Sequence, residues 1–340
     1  MAKILHVLCS DRKGGLEQAY LNLTDCLVEL GHEVIVLVPK QAPYLASLNP
    51  AATFIHFDPT GYYDIFSMMK ARRLIKQYQI DMVISHNARA VSIMAAALIG
   101  SPIKHLGFSH SYKHKRMHKA DHIVVLTEHM KQHFIHHGMP EAKLSIFANV
   151  LMHLPEYQPP ITLNDNVRIG FVGRLDPEKG VDYLIDAFSL LVQENTYPVT
   201  LTIAGEGGES QRLREKVDQL GLSEKVVFSG WVTDLQTWMK GLDLLVFPSV
   251  YEPFGIVIIE GFSYSKPVIS TDLEGPASLI EQGVNGWLAK PESAVSLERT
   301  IIEALETKEQ WGSITLRAYK NAQELFYKNK LKSLSCILDS

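Results

Sequence analysis

The segment that most constrains this chain runs from Leu242 to Gly261. Leu-Asp-Leu-Leu-Val-Phe is followed by Pro248-Ser249-Val250-Tyr251-Glu252-Pro253-Phe254-Gly255, then by Ile-Val-Ile-Ile-Glu-Gly. A short apolar run bounded by turn residues reads as a buried parallel strand. Pro253 and Gly255 force a turn, and Gly255 to Tyr264 reads as a helix. Strand-to-helix turns of this kind belong to open α/β sheets, which bind ligands outside the carboxyl ends of their strands. Glu252 then lies in that loop, and Glu260 about a turn and a half into the helix. Free N–H groups near Gly255, Ile256 and Val257 suit a phosphate. A carboxylate one turn further on can accept two hydrogen bonds from a vicinal diol such as a ribose. For an arbitrary pair of glutamates, solvated surface charge is the default reading. The Pro-Phe-Gly insert and the apolar helix start argue against it here.

A chain of 340 residues exceeds one ordinary core and predicts two domains. Its 46% hydrophobic and 21% charged residues are those of an ordinary globular protein. The most apolar long stretch, residues 82–100, is interrupted by His86, Asn87 and Arg89, so no membrane span is expected. The first residues read as a strand and not as a signal peptide, and Cys9, Cys26 and Cys336 form no spaced framework. A reduced, cytoplasmic protein without a structural metal is expected. The net charge of −4 divides into +5 over residues 1–150 and −9 over 151–340, and 13 of 14 histidines precede residue 150. That break predicts a domain boundary there.

In the first half, Lys3–Cys9 and Glu33–Val38 read as strands around a helix from Leu16 to Leu30, opening a doubly wound sheet. Gly14-Gly15 is the intervening turn. No Gly-x-Gly-x-x-Gly follows the strand, which disfavours a nicotinamide enzyme. His86 and His110 fall at the carboxyl ends of predicted strands, where each is either a structural histidine or a group facing a ligand. The run Ser111 to Lys119, with Lys113, Lys115, Arg116 and Lys119, is the most basic part of the chain. It reads either as a patch for anionic lipid headgroups or a phosphorylated acceptor, or as a solvated loop. No nucleic-acid module is recognisable, so nucleic acid is not an expected partner.

Residues 151–165 are rich in proline and polar groups and read as a linker. A second doubly wound unit is predicted over 166–316, followed by a helical tail. After the strand Val167–Val172 comes Gly173-Arg174-Leu175-Asp176-Pro177-Glu178-Lys179-Gly180. Arg174 offers a forked contact and Lys179 a point charge, a pairing suited to diphosphate. Gly205 follows the next strand, and Gly230-Trp231-Val232 the one after.

The Glu-Pro-Phe-Gly opening with Glu252 and Glu260 resembles the Glu-x7-Glu signature of the retaining glycosyltransferases of family 4. The Gly-Arg-x-x-Pro-Glu-Lys-Gly run is similar to that family's pyrophosphate loop, and Ala204-Gly205-Glu206-Gly207 to its Ala-Gly-x-Gly segment. The resemblance covers nearly the whole chain. It implies the GT-B fold, two facing Rossmann-like doubly wound domains with an interdomain cleft, and a tail from 317 to 340 that crosses back to the first domain. It implies transfer of a hexose-type sugar, with retention and without a metal or cofactor, from a nucleotide diphosphate sugar, UDP favoured. The acceptor would be a hydroxyl of a glycan or glycolipid, in surface polysaccharide or lipopolysaccharide synthesis at the inner face of a membrane.

Residue by residue, the resemblance gives Gly14 and Gly15 an approach to the donor phosphate or acceptor, and puts Glu17 beside them. His110 matches the active-site histidine, and His86 a less consistent position; Glu17 and His86 are acceptor-side candidates. Gly173, Arg174, Lys179, Gly205, Phe254, Gly255, Ile256, Val257 and Glu260 would bind the donor. Backbone at Gly230, Trp231 and Val232 would hold the base, and Glu252 would hold the transferred sugar. A sugar-nucleotide epimerase of the same fold would share the donor site but need no acceptor. A non-catalytic binding module would not require Arg174, Lys179, Glu252 and Glu260 together.

Overall fold

The structure, a computed structural model, describes residues 1–160, 166–194 and 197–339. The chain divides into two compact units, one formed by residues 1–152 with the tail from Tyr327, the other by His153–Phe326. The expected linker, 151–165, ends in residues outside those described, and its first two residues group with the first unit.

The first unit carries a parallel sheet of β1 (Lys3–Leu8), β2 (Glu33–Val38), β3 (Thr53–His56), β4 (Met82–His86), β5 (Lys104–Phe108), β6 (His122–Val125) and β7 (Leu144–Ile146). Their order is β3-β2-β1-β4-β5-β6-β7. Strand side chains alternate between faces, and here both faces are covered. Ile4, Leu8, Val34, Val36 and Val38 join one core with Tyr20, Leu23 and Leu27 of α1 (Gly15–Glu29). Leu5, Val7, Ile35 and Leu37 join the other, with residues of α2 (Ile65–Tyr78) and α3 (Asn87–Ala97). That two-sided burial is why these strands read as unbroken apolar runs. The helix α4 (Glu128–His136) follows β6 and is capped by Thr127, whose hydroxyl accepts from Met130 N–H at 3.1 Å.

The second unit repeats the plan. Its strands are β8 (Val167–Val172), β9 (Val199–Ala204), β10 (Val226–Gly230), β11 (Leu244–Phe247), β12 (Val268–Thr271) and β13 (Trp287–Ala289), all parallel in the order β10-β9-β8-β11-β12-β13. Its helices are α5 (Val181–Glu194), α6 (Ser210–Gln219), α7 (Leu235–Lys240), α8 (Ile256–Ser263), α9 (Glu274–Ala277), α10 (Ala294–Glu306) and α11 (Trp311–Glu324). In both sheets the strand order reverses between the first and fourth strands, the switch point where such folds bind ligands.

The expected helical tail is corrected in detail. It is three helices, α10, α11 and α12 (Tyr327–Asp339), and residues 317–326 belong to the second unit. Only α12 joins the first unit, through Leu334, Ile337 and Leu338 in the core beside α1.

Candidate functional site

In the second unit, the switch point lies between β8 and β11, and the two loops leaving these strands are zipped together. Glu178 C=O accepts from Val250 N–H at 2.9 Å. Gly173 N–H donates to Ala204 C=O at 3.0 Å, and Gly205 N–H to Gly230 C=O at 2.7 Å. Gly205 has φ +133°, and a Cβ there would lie 1.8 Å from the Gly173 carbonyl oxygen, so only glycine lets the β8 and β9 loops touch. Gly275 of α9 does the same against the motif loop, since a Cβ would meet the Glu252 carbonyl oxygen at 2.1 Å.

This frame brings together the residues that the two motifs supply. Lys179 Nζ and Glu252 Oε2 pair at 2.6 Å across the two loops, both largely buried. Arg174 pairs with Asp176 two residues on. Glu260 is half-buried, its carboxylate has no hydrogen-bond or ion-pair partner among the described residues, and burial pushes its pKa up to about 7. The N–H groups of Ile256 and Val257 open α8 and have no backbone acceptor among the described residues. Cationic groups, helix-start amides and an unpaired carboxylate thus gather at one switch point, an arrangement suited to a diphosphate joined to a diol. Phe254 is the exception. It is 3% exposed, so its ring is packing within the unit, not a surface for a ligand. Trp231 is 40% exposed beside Gly230.

In the first unit, Gly14 caps α1, and Gly14 C=O accepts from Gln18 N–H at 3.0 Å. Glu17 is buried in the first turn, where the helix dipole favours a carboxylate, and it accepts from the Ser10 hydroxyl. Asn87 amide donates to Cys9 C=O at 3.2 Å, joining the loops after β1 and β4.

The expectation that His86 faces a ligand is corrected. His86 is fully buried, stacked on Phe108 with centroids 5.3 Å apart, and bonded at both ring nitrogens. Its Nδ1 meets His110 Nε2 at 2.8 Å, and its Nε2 meets His6 Nε2 at 2.7 Å. His6 Nδ1 in turn meets Thr24 Oγ1 at 3.0 Å. Three imidazoles therefore form one hydrogen-bonded line from the core to half-buried His110. Burial lowers the pKa of His6 to about 3 and of His110 to about 4, and drives His86 well below its ordinary value, so the line is neutral at pH 7. With every ring neutral, each can donate one N–H and accept once, as the chain requires. His86 thus holds the His110 ring, by that bond and by stacking with centroids 4.9 Å apart.

Two parallel doubly wound sheets, each with its switch point between the first and fourth strands, are the arrangement of the GT-B fold. Residues 13–150 match the family model described as Glycosyltransferase Family 4, and residues 156–324 the model described as Glycosyl transferases group 1. The chain belongs to this glycosyltransferase family. It is 27% identical over 290 residues to the lipopolysaccharide core biosynthesis glycosyltransferase LpsD of Rhizobium meliloti, covering 81% of this chain and 80% of that one. It is 36% identical over 151 residues to a glycosyltransferase of Methanocaldococcus jannaschii, a match spanning 44% of this chain and 37% of that relative. In fold it is similar to the Anabaena HepE crystal structure in complex with UDP and glucose, with TM-score 0.85, 22% identity and full coverage of both chains.

Proposed function

We propose that this glycosyltransferase moves a hexose-type sugar from a nucleotide diphosphate sugar, UDP-linked by preference, to a hydroxyl of a glycan or glycolipid, with retention and without a metal. The observation that carries the reading is the Lys179–Glu252 pair beside unpaired Glu260 at the β8–β11 switch point. Glu260 accepts from the ribose diol, and the amides of Ile256 and Val257 with Arg174 and Lys179 meet the diphosphate. As the bond from the sugar C1 to phosphate oxygen breaks, negative charge grows on the diphosphate, and these fixed donors stabilise it more than the ground state. Glu252 fixes the sugar through its hydroxyls. His110 of the first unit is assigned to the transferred sugar and its acceptor. The acceptor oxygen bonds C1 on the face that the diphosphate leaves, and its proton passes to the departing phosphate oxygen.

The preference for a lipopolysaccharide or related surface-glycan acceptor is supported by the name of the Rhizobium relative. No helix among the described residues is long and apolar enough to cross a membrane. We assign a peripheral contact with anionic membrane to the Lys113–Lys119 run. It is supported by an apolar cluster at its side, where Arg116 stacks 4.0 Å over Tyr62 and Phe66 of α2 is 85% exposed. Co-sedimentation with anionic liposomes tests this, and absence of salt-sensitive binding overturns it.

The donor reading is tested by thermal shift with UDP, GDP, ADP and NAD, in EDTA, on wild type and Glu260→Ala. A rise with one nucleoside diphosphate, lost in the variant, is expected. A rise with NAD alone, or a diphosphate response that requires an added divalent cation, overturns the corresponding part of the reading.

A further inference from the structure

A second cluster of chemistry-bearing side chains lies in the first unit, apart from the donor-side residues of the second. His133 sits on α4, His137 caps its C-terminus one turn later, and His114 comes from the basic loop after β5. Nitrogen atoms of all three lie within 4.8 Å of one another. The rings of His114 and His137 are 4.0 Å apart, and those of His133 and His137 4.3 Å.

The hydrogen bonds around the cluster fix which nitrogens remain available. His133 Nε2 lies 3.0 Å from Tyr112 C=O, and His137 Nδ1 lies 2.8 Å from His133 C=O. A carbonyl only accepts, so each ring must donate its N–H there and keep the lone pair of its other nitrogen free. Imidazoles that bind metals show this same outer bond, which fixes the tautomer and aims the ligating nitrogen. His114 Nδ1 is buried without a hydrogen-bond partner among the described residues, a costly state for a ring nitrogen unless something completes it.

We infer that His114, His133 and His137 form a binding site for a divalent transition-metal cation of the Zn2+ class, with water at the fourth position. Three imidazoles are a donor set for zinc, and an i, i+4 histidine pair on a helix presents two of them on one face. Zn–N bonds of about 2.0–2.1 Å in a tetrahedron set nitrogens about 3.3 Å apart, so the rings, which already place one nitrogen each within 4.8 Å of the others, must draw together to hold the ion. His114 and His137 line a cavity of about 300 Å³ that also holds His118 and Lys143, which leaves room for the fourth ligand. The cation fastens the Ser111–Lys119 loop, which starts one residue after His110, to α4. The site is independent of the donor reading and departs from the expectation that the chain holds no structural metal.

The test is Zn2+ titration of the full chain without an affinity tag, after chelator treatment, by competition with a chromophoric chelator. One tight equivalent per chain is expected, with a rise in melting temperature and protection of the 111–119 loop from proteolysis. Co2+ in place of Zn2+ should give the intense visible absorption of a tetrahedral site. His133→Gln and His137→Gln should each weaken Zn2+ binding by more than about 100-fold, beyond the 10–100-fold of an outer-shell change. His129→Gln, close by but outside the cluster, should bind as wild type does. Circular dichroism of the metal-free variants separates lost binding from lost folding. Failure of folded wild type to hold one equivalent overturns the inference, as does full retention by a folded double variant, His133→Gln with His137→Gln.

Discussion

At the scale of single residues, burial without partners is the informative state. Glu260 has its pKa raised to about 7, from an ordinary 4.5, by desolvation alone. A diol donates, so the ionised carboxylate is the binding form, and it is depleted below pH 7. UDP affinity of wild type should rise about tenfold per pH unit below 7 relative to Glu260→Gln, then level off. Calorimetric titration of both proteins from pH 5.5 to 8 checks this, and the comparison cancels the titration of the nucleotide's own phosphate. Parallel profiles would remove the ribose role. For stability, the groups pull in opposite directions. Glu260 has a raised folded pKa, so its cost is absent below about 4.5 and complete above 7. His6 at about 3, with His105 and His110 at about 4, has a depressed folded pKa against an ordinary 6.5. Their cost is absent above 6.5 and grows as pH falls through that window. Each such histidine contributes a slope of about 1.4 kcal/mol per pH unit, so several outweigh one glutamate. Urea unfolding should therefore show lower stability at pH 5 than at pH 7.5, and an unchanged or higher midpoint at pH 5 contradicts the buried neutral line. Glu252, Glu260, Arg174 and Lys179 were legible because local turn residues fix their offsets. His6 was not, because it sits inside an apolar strand and its partner His86 is 80 residues away.

At the scale of elements, legibility followed burial. Strands enclosed on both faces carry apolar runs, and the expected and observed limits of β2 and β8 coincide. The edge strands β3 and β7 are only four and three residues long and β3 is largely exposed, so no local pattern marks them. The tail misled for a different reason. The breaks after α10 and α11, at Thr307 and at Leu325-Phe326, contain neither Gly nor Pro, while Gly312 lies inside α11. Close approach of loops makes its own prediction. Gly205→Ala combines a left-handed backbone with a Cβ driven onto the Gly173 carbonyl oxygen, so both the β8 and β9 loops must shift. A loss of about 2 kcal/mol or more is expected in chemical unfolding, above the usual glycine-to-alanine effect. Retention of wild-type stability would mean that these loops adapt freely. Helix α2 offers a milder case. Asp64 caps it, accepting from Ser67 N–H at 3.0 Å, and Asp64→Ala should cost about 1 kcal/mol, read by the same unfolding curves.

At the scale of the whole molecule, the chain leaves its first unit at residue 152 and returns to it at Tyr327. Family likeness places the return at 317, ten residues before Tyr327, because the helical pattern of α11 does not announce which core it joins. What decides membership is where the apolar face goes. Trp311, Ile314 and Ala318 of α11 are buried within the second unit, whereas Leu334, Ile337 and Leu338 of α12 enter the core with Ile4, Leu8, Tyr20 and Leu27. Tyr327 N–H also donates to Leu151 C=O at 2.9 Å, fixing α12 at the point where the chain first left. Burying a large aliphatic side chain stabilises by about 1.5–3 kcal/mol, so these three contribute about 5–9 kcal/mol. That rivals the 5–15 kcal/mol that holds a typical domain together. A chain ended at Phe326 should therefore lose the first unit's fold while the second unit, with its own sheet and cores, keeps it. Hydrogen exchange should show fast exchange in β1, β2 and β4 and near-native protection in β8, β9 and β11. The nucleotide-induced thermal shift should survive, since every group assigned to the nucleotide but Gly14 and Gly15 lies in the second unit. Native protection of β1 in the shortened chain would show that α12 only covers a core already complete without it.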